Sequence, residues 1–480
     1  MRTILSVICA FFAHCAMAQG EIAVLMHNGE ISAYYGKDAL FYAQEYAEDG
    51  DIITASNGKF EAFCFKKSVT FRGVGTENVK DRNQPATTIY DYRERNRNSN
   101  IGDIISDPHG KTMVFEGICF DRCDFGIIGD PESVTFNKCS IINSVGPLAH
   151  GSSCAHHLIL KNCDIWNTDE YSSPLYASKE LTVSNCFYQG FGAMGLYEVS
   201  FGGDVDILKV NISNSIITTN NLTNSYLLNS YVDGNIVNKE SFKGNLLSNC
   251  ILHCNANKDI LDILKSQNKF EMSASFSAEY FDPSLPWTRE NYLDRGKELA
   301  NAHVGIFNGE EPYSTQIKMQ RILNSSIDKS SKNVKKLHVD IEIEDIADPT
   351  FHKFTKDQTK MVYIIDGKHG GICKGTSSND INYGFEIDTT DLEYGDHTMY
   401  VVLTDGNYTT VNQKITFEIP RKKGDVNGDG EVDTSDINEV INYLMGKSTV
   451  TDTTILDINN DGVVNIADIV SIVSIITGIK

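Results

Sequence analysis

Hydrophobic and polar residues alternate through the first half of the chain, but the alternation slips phase at recurring points. The segments Val134-Thr135-Phe136-Asn137-Lys138-Cys139-Ser140-Ile141, Leu158-Ile159-Leu160-Lys161-Asn162-Cys163-Asp164-Ile165 and Leu181-Thr182-Val183-Ser184-Asn185-Cys186-Phe187-Tyr188 superimpose. Each reads inward, out, inward, out, turn, inward, out, inward. A straight strand keeps period two, so the extra residue must bend the chain. The phase-shifting residues are Gly73, Gly117, Lys138, Asn162, Asn185, Asn214, Asn229 and Asn249. All but Lys138 are Asn or Gly, the types that tolerate positive φ. The intervals are 44, 21, 24, 23, 29, 15 and 20 residues, and the first is expected to hold two coils.

A repeat of about 22 residues, built from short strands joined by Asn/Gly bends, predicts a parallel solenoid in which each coil pairs with the next. Like residues then stack. Cys139, Cys163, Cys186 and Cys250 share one column and are expected to be core thiols rather than disulfide partners, while a bridge such as Cys119 with Cys123 stays open. Ala39 to Ala47 reads as a short amphipathic helix that would cap the open end of the stack. Together with Gly50-Asp51-Ile52-Ile53-Thr54, Gly58-Lys59-Phe60 and Val69-Thr70-Phe71-Arg72-Gly73, this region, 19–312, resembles the right-handed parallel β-helix of the pectate-lyase-like superfamily.

That resemblance implies an open groove on one face that binds or cleaves an extended polysaccharide. It implies a lyase with a Lys or Arg base and calcium-bound acids, or an O-glycosyl hydrolase with paired carboxylates. The stretches preceding the aligned strands, including 147–150 and 192–199, offer Asp124, Asp130, His150, Tyr176, Lys179 and Glu180, yet no pair of acids recurs from coil to coil, and the catalytic residues stay unassigned. His156-His157 beside Cys154 reads as a nucleophile, a metal site or a surface turn over a buried thiol. The insert from Thr76 to Thr112 carries Arg93, Arg95 and Arg97 with Tyr90 and Tyr92, either a grip for an acidic sugar chain or a solvated loop.

Composition narrows the picture. The 480 residues hold 42 basic and 64 acidic side chains, a net charge of −22, which disfavours nucleic acid and anionic membrane surfaces as partners. With 23 Phe, 21 Tyr and 37 Gly against 10 Pro, strands and tight turns are favoured over long helices. At the N-terminus Arg2, the apolar run Ile4 to Phe12 and Ala16-Met17-Ala18 predict a secretory signal peptide over 1–18, and no later stretch reads as a membrane span. A secreted or extracellular protein, free or held at a cell surface, is expected.

The pattern changes near Pro312. A polar connector is expected within 313–336, chiefly Ser325 to Lys336, followed by alternating strands. Leu337, Val339, Ile341 and Ile343 alternate with polar residues, as do Ile415, Phe417 and Ile419; Met361 to Ile365 and Met399, Val401, Leu403 add further strands. The span 337–420 resembles an immunoglobulin-like or fibronectin-type-III-like β-sandwich, implying a spacer or a sugar-binding module.

The last segment is the most specific. Asp425, Asn427, Asp429, Glu431, Asp433 and Asp436 occupy positions 1, 3, 5, 7, 9 and 12 of a calcium loop, with Gly430 at 6. Asp457, Asn459, Asp461, Val463, Asn465 and Asp468 repeat it, with Glu431 and Val463 offering backbone carbonyls. After each loop comes a helical stripe: Ile437, Val440, Ile441, Leu444, then Ile469, Ile472, Val473, Ile476, ended by Gly446 and Gly478. One helix per loop, and Asp rather than Glu at position 12, make 424–480 resemble a type I dockerin. The resemblance implies two Ca2+ ions and a cohesin partner recognised through Thr434-Ser435 and Ile466-Ala467. Ten acidic residues against two lysines here give −8, so cation binding is expected to supply much of the folding energy. The whole reads as a polysaccharide-degradation component docked to an extracellular assembly; a non-catalytic glycan-binding or adhesin-like surface protein stays open.

Overall fold

The computed structural model describes residues 21–76, 86–91, 105–106, 110–123, 127–142, 154–166, 175–189, 193–196, 209–218, 221–233, 242–253, 258–271, 275–277, 297, 299–301, 303–310, 312–327, 336–367, 369–375, 380–411 and 414–478. The expected signal peptide, Tyr92, Arg93, Arg95, Arg97, Asp124 and His150 lie outside them, as does the side chain of Tyr176. The protein is mainly β, with α1 (Ala39–Tyr46), α2 (Lys258–Gln267), α3 (Thr434–Leu444) and α4 (Ile466–Thr477) among its helices. No helix among the described residues is long and apolar enough to cross a membrane. The chain divides into two compact units, 1–324 with 342–383 and 400–413, and 325–341 with 384–399 and 414–480.

The first unit is dominated by two sheets, of twelve and ten strands, whose members alternate along the chain and are paired in parallel from Ile52 onward. Ser133–Asn137 pairs with Thr112–Glu116 on one side and His157–Lys161 on the other, while Ser140–Ile142 pairs with Cys119–Asp121 and Asp164–Trp166. Registers are unslipped, so like positions stack. One inward column runs Phe71, Phe115, Phe136, Leu160, Val183, Ile212, Leu227 and Leu247, every member at most 1 % exposed. Its phenyl rings stack 5.5 and 5.1 Å apart, a spacing at which aromatic pairs attract beyond their burial.

Between the two sheets the chain turns where the phase slips. Asn162, Asn185, Asn214, Asn229 and Asn249 have φ between 48° and 52°, and Gly117 has 64°. Lys138, without the Asn advantage, adopts 53° all the same, because the coils above and below fix the bend. Gly73 differs: its φ is ordinary, but a Cβ there would strike the Gly117 carbonyl oxygen and sit 2.7 Å from the Thr87 Cβ. Its requirement is space.

One expectation needs correction. Thr70 pairs directly with Val114, so the long first interval is one coil with insertions, not two coils. The ten-stranded sheet, whose strands follow the bends, is partly covered on its outward face. Phe187, Ile216, Tyr231 and Ile251 form an outward column of the ten-stranded sheet, yet Leu299, Val304, Ile306 and Tyr313 bury them. The Asn185 side chain donates to the carbonyls of Ile306 and Asn308, and Asn249 to that of His303, which pins this strap along the bends.

At the N-terminal edge an antiparallel hairpin, Ile22–His27 with Glu30–Tyr35, flanks Ile52–Ala55. Its turn is Asn28-Gly29 with φ of 49° and 79°, the two positive values a tight two-residue hairpin turn requires. The expected helix follows as α1, burying Ala39, Leu40 and Ala43. Hairpin residues Ile22 and Val24 pack on Val362, Ile364, Val402 and Val411. There Lys360–Ile365 pairs antiparallel with His369–Lys374, and Val402 to Thr404 with Thr409–Val411.

In the second unit Gly395 to Met399 pairs antiparallel with Ile415–Ile419. The expected strand appears as Lys336–Ile343 with Val339, Ile341 and Ile343 buried, and Ile322–Ile327 is a strand that runs into the expected connector. C-terminally, α3 and α4 close on a core of Val426, Val440, Leu456, Ile458 and Ile472. The two apolar stripes are wider than that core. Ile441, Leu444, Val473 and Ile476 are between 36 % and 45 % exposed, while Val440 and Ile472 are buried and Ile437 and Ile469 half-buried.

Candidate metal centres

The two C-terminal loops share most of one hydrogen-bond scheme. In the first, Asp425 accepts from the Gly428 and Gly430 amides at 2.9 and 3.0 Å, Asn427 Oδ1 from Asp429, and Asp429 Oδ1 from Glu431. In the second, Asp457 accepts from the Asp461 and Gly462 amides, Asn459 Oδ1 from Asp461, and Asp461 Oδ1 from Val463. Gly430 and Gly462, with φ of 89° and 86°, supply the sharp turn expected at position 6.

Position 12 closes each loop onto its helix. Asp436 is fully buried and accepts from the amides of Val426, Asn427 and Asp433, at 2.7, 3.0 and 2.8 Å. Asp468, equally buried, accepts from Asn459 and Asn465. Asp433 and Asn465, at position 9, are the N-caps of α3 and α4 and complete capping boxes with Asp436 and Asp468. The Ser435 hydroxyl and amide, donating to Asp433, hold its carboxyl below the usual range.

Backbone amides thus satisfy the loop acids one by one, and among the described residues no three His, Cys, Asp or Glu side chains gather around a common point. The donors nevertheless suit a hard cation: each loop combines carboxylates, an Asn carbonyl and a position-7 main-chain oxygen. In the second loop the Asn465 amide donates to that oxygen, on Val463, at 3.1 Å. Asp436 and Asp468 hold buried carboxylates at the loop–helix junction, the position at which a calcium loop supplies its last ligand.

The loop positions 10 and 11 differ between copies. Thr434 is exposed, and the Ser435 hydroxyl is engaged by Asn427 and Asp433. Ile466 is 73 % exposed at the start of α4, with Ala467 donating its amide to Asn465.

On the parallel sheets, register gathers part of the histidine cluster. His157 lies between Ser133 and Glu180 on neighbouring strands. Glu132 accepts from His156 at 2.9 Å and lies 3.7 Å from His157; His157 reaches Glu180 at 3.3 Å and Lys179 reaches Glu132 at 3.8 Å. Glu132 went unnoticed in the sequence, although the aligned repeat already places its neighbour Ser133 in column with His157 and Glu180. The His156 bond holds its carboxyl below the usual range. Cys154 is buried at 2 % exposure, which removes it as an accessible nucleophile, and no metal cluster forms among the described residues. Asp130 is exposed. Tyr90, from the basic aromatic insert, is faced by Lys59 at 5.0 Å and Arg122 at 5.7 Å from its ring centroid.

No curated protein matches the chain. Among solved structures it is similar to an endo-beta-1,4-mannanase from Thermotoga petrophila, with 12 % identity and a TM-score of 0.15 over 36 % of this chain. It is also similar to the cell-surface-expressed multi-modular chitinase ChiW from Paenibacillus sp., with 9 % identity and a TM-score of 0.14 over 69 % of this chain. The chain spans 39 % and 23 % of those two proteins, and likenesses this slight carry no argument about fold or activity. Residues 423–476, which contain both loops and both helices, match the dockerin type I domain.

Proposed function

We propose that this is a secreted component of an extracellular polysaccharide-degrading assembly. In this reading 19–312 is a right-handed parallel β-helix of the pectate-lyase-like kind, 337–420 a sandwich spacer, and 424–480 a dockerin holding two Ca2+ ions and docking to a cohesin. The observation that carries it is the dockerin type I match over 423–476, joined to two loops whose position-6 glycine amides both donate to the position-1 aspartate. Dockerin domains occur in extracellular proteins, and those of type I bind calcium. Exposed Ile441, Leu444, Met445, Val463, Ile466 and Val470 on so small a domain support a protein partner.

For the solenoid, the Lys59–Tyr90–Arg122 group supports an acidic glycan as ligand, since a ring flanked by cations suits a sugar face bearing carboxylates. Cleavage is the first reading. A non-catalytic glycan-binding or adhesin-like protein is the second; it is favoured by Glu132 and Glu180, whose carboxylates are tied to His156 and His157. Product analysis of the full chain over pectic, plant and host glycans separates the two. New reducing ends or unsaturated products support cleavage, whereas binding without products supports the second reading. Calcium-dependent retention on an immobilised type I cohesin tests the docking; equal retention with excess chelator or none at all overturns it.

A further inference from the structure

The two calcium loops have different neighbours. A Cβ at Gly462, in the second loop, would meet open space, whereas the Gly428–Gly430 turn of the first loop is clasped. The Arg421 Nη2 lies against Gly428, Lys422 donates to the Gly430 carbonyl, and the Tyr394 hydroxyl sits 3.4 Å from where a Gly430 Cβ would be. Arg421 in turn faces the Tyr394 ring at 5.7 Å. Tyr394 lies thirty-one residues before Asp425, outside the segment matching the dockerin type I domain but inside the same compact unit.

Resting on the calcium reading above, we propose that Tyr394 is a positioning residue for the first calcium loop alone, its hydroxyl fixing the carboxylate of Asp425 at loop position 1. Partners that hydrogen-bond to ligating carboxylates fix their orientation and are part of a site's affinity. The Tyr394 hydroxyl hydrogen-bonds the Asp425 carboxylate at the Gly430 turn, beside the Gly430 amide that donates to the same carboxylate at 3.0 Å. The first site is therefore built from two regions of the chain, and its affinity depends on a residue that the isolated dockerin segment lacks.

The test uses the full chain, stripped by chelation and titrated with Ca2+ in a calorimeter. Tyr394→Phe keeps the ring against Arg421 and removes only the hydroxyl. In an Asp457→Asn background, which disables the second loop, it is expected to weaken the remaining site about 10- to 100-fold. In an Asp425→Asn background, which disables the first loop, the same change is expected to leave the affinity unaltered. Equal affinities with and without the hydroxyl in the first background, or equal weakening in both, overturn the proposal. A wild-type chain that takes up no calcium overturns the calcium reading itself, a distinct result.

Discussion

Asn229 donates its side-chain amide to Oδ1 of Asn214 at 3.2 Å, and Asn249 repeats the contact onto Asn229 at 2.9 Å. All three hold φ near +50°, so one residue type both takes the left-handed bend and bonds coil to coil. The Asn229 backbone amide also donates to Ser248, joining the same coils a second time.

Asn229→Ala is expected to destabilise the chain by about 1–2 kcal/mol from the left-handed backbone alone, with the lost amide contacts adding to it. Asn229→Gly should cost less, since only the side-chain bonds disappear. Lys138→Asn should stabilise, because Lys138 bears the same φ without the compensating preference. Urea unfolding of the three variants checks the order; an unchanged midpoint for Asn229→Ala would sink the argument.

From Lys138 onward the residue after each listed bend is Cys or Ser, and it works as a hydrogen-bonding column. The Cys163 amide donates to Cys186 Sγ, the Cys186 amide to Ser215 Oγ, and the Ser215 amide to Ser230 Oγ. Cys186 and Ser215 each donate back to the carbonyl two residues earlier. Cys186→Ser should therefore be accepted within about 1.5 kcal/mol. Burial pushes the thiols of Cys139 and Cys250 up to about 12 and 11, so native alkylation at pH 8 should spare both and denaturation should expose them. Mass spectrometry of pulse-labelled protein decides.

The stacked parallel strands were legible because parallel register leaves a record in the sequence: a bend residue, an inward position that is often a thiol or hydroxyl, then an outward and an inward one. The pairing of Cys119 and Cys123 was left open by sequence; in the structure the Cys123 thiol donates to the Ile89 carbonyl at 3.4 Å. The hairpin at Asn28-Gly29 had a local signal too, though the solenoid reading absorbed it. Other features had none. The strap over Phe187 and Tyr231 depends on residues 299–313 folding back onto a distant face, and outward positions look alike whether water or chain covers them. Tyr394 reaches Asp425 only through tertiary packing. Loop spacing, by contrast, is local chemistry, and both acidic loops form, with largely the same hydrogen bonds, where the sequence placed them.

Asp405 carries an acid-sensitive contribution to stability. Burial alone would raise its pKa, but bonds from His352 at 2.7 Å and from the amides of Tyr408 and Asn407 leave it lowered overall. A carboxyl whose folded pKa is depressed contributes stability that is present above its unfolded value, near 3.9, and lost as pH falls through the folded one. His352 also stacks on Tyr408, which Arg72 covers at 4.2 Å, so the loss reaches the Arg72–Glu116 pair. Asp405→Asn should lower stability at pH 7 and flatten its fall below about pH 4. Parallel acid limbs for wild type and variant would count against the assignment.

The dockerin segment should lose its helices when calcium is chelated, and salt should partly restore them. Its ten acids, offset by only two lysines, repel one another, and the carboxylates of Asp436 and Asp468 are buried at the loop–helix junctions. Far-UV circular dichroism of the isolated segment 424–480, titrated with chelator at low ionic strength, is expected to show the helical signal of α3 and α4 collapse. Repeating the titration near 1 M salt shortens the screening length to about 3 Å, so the surface repulsion fades while charges buried in the loops are screened much less. A partial return of helix is the expected result. Full return would assign the cation's role to surface repulsion alone, and a signal indifferent to chelator at both salts would remove calcium from the folding of this domain.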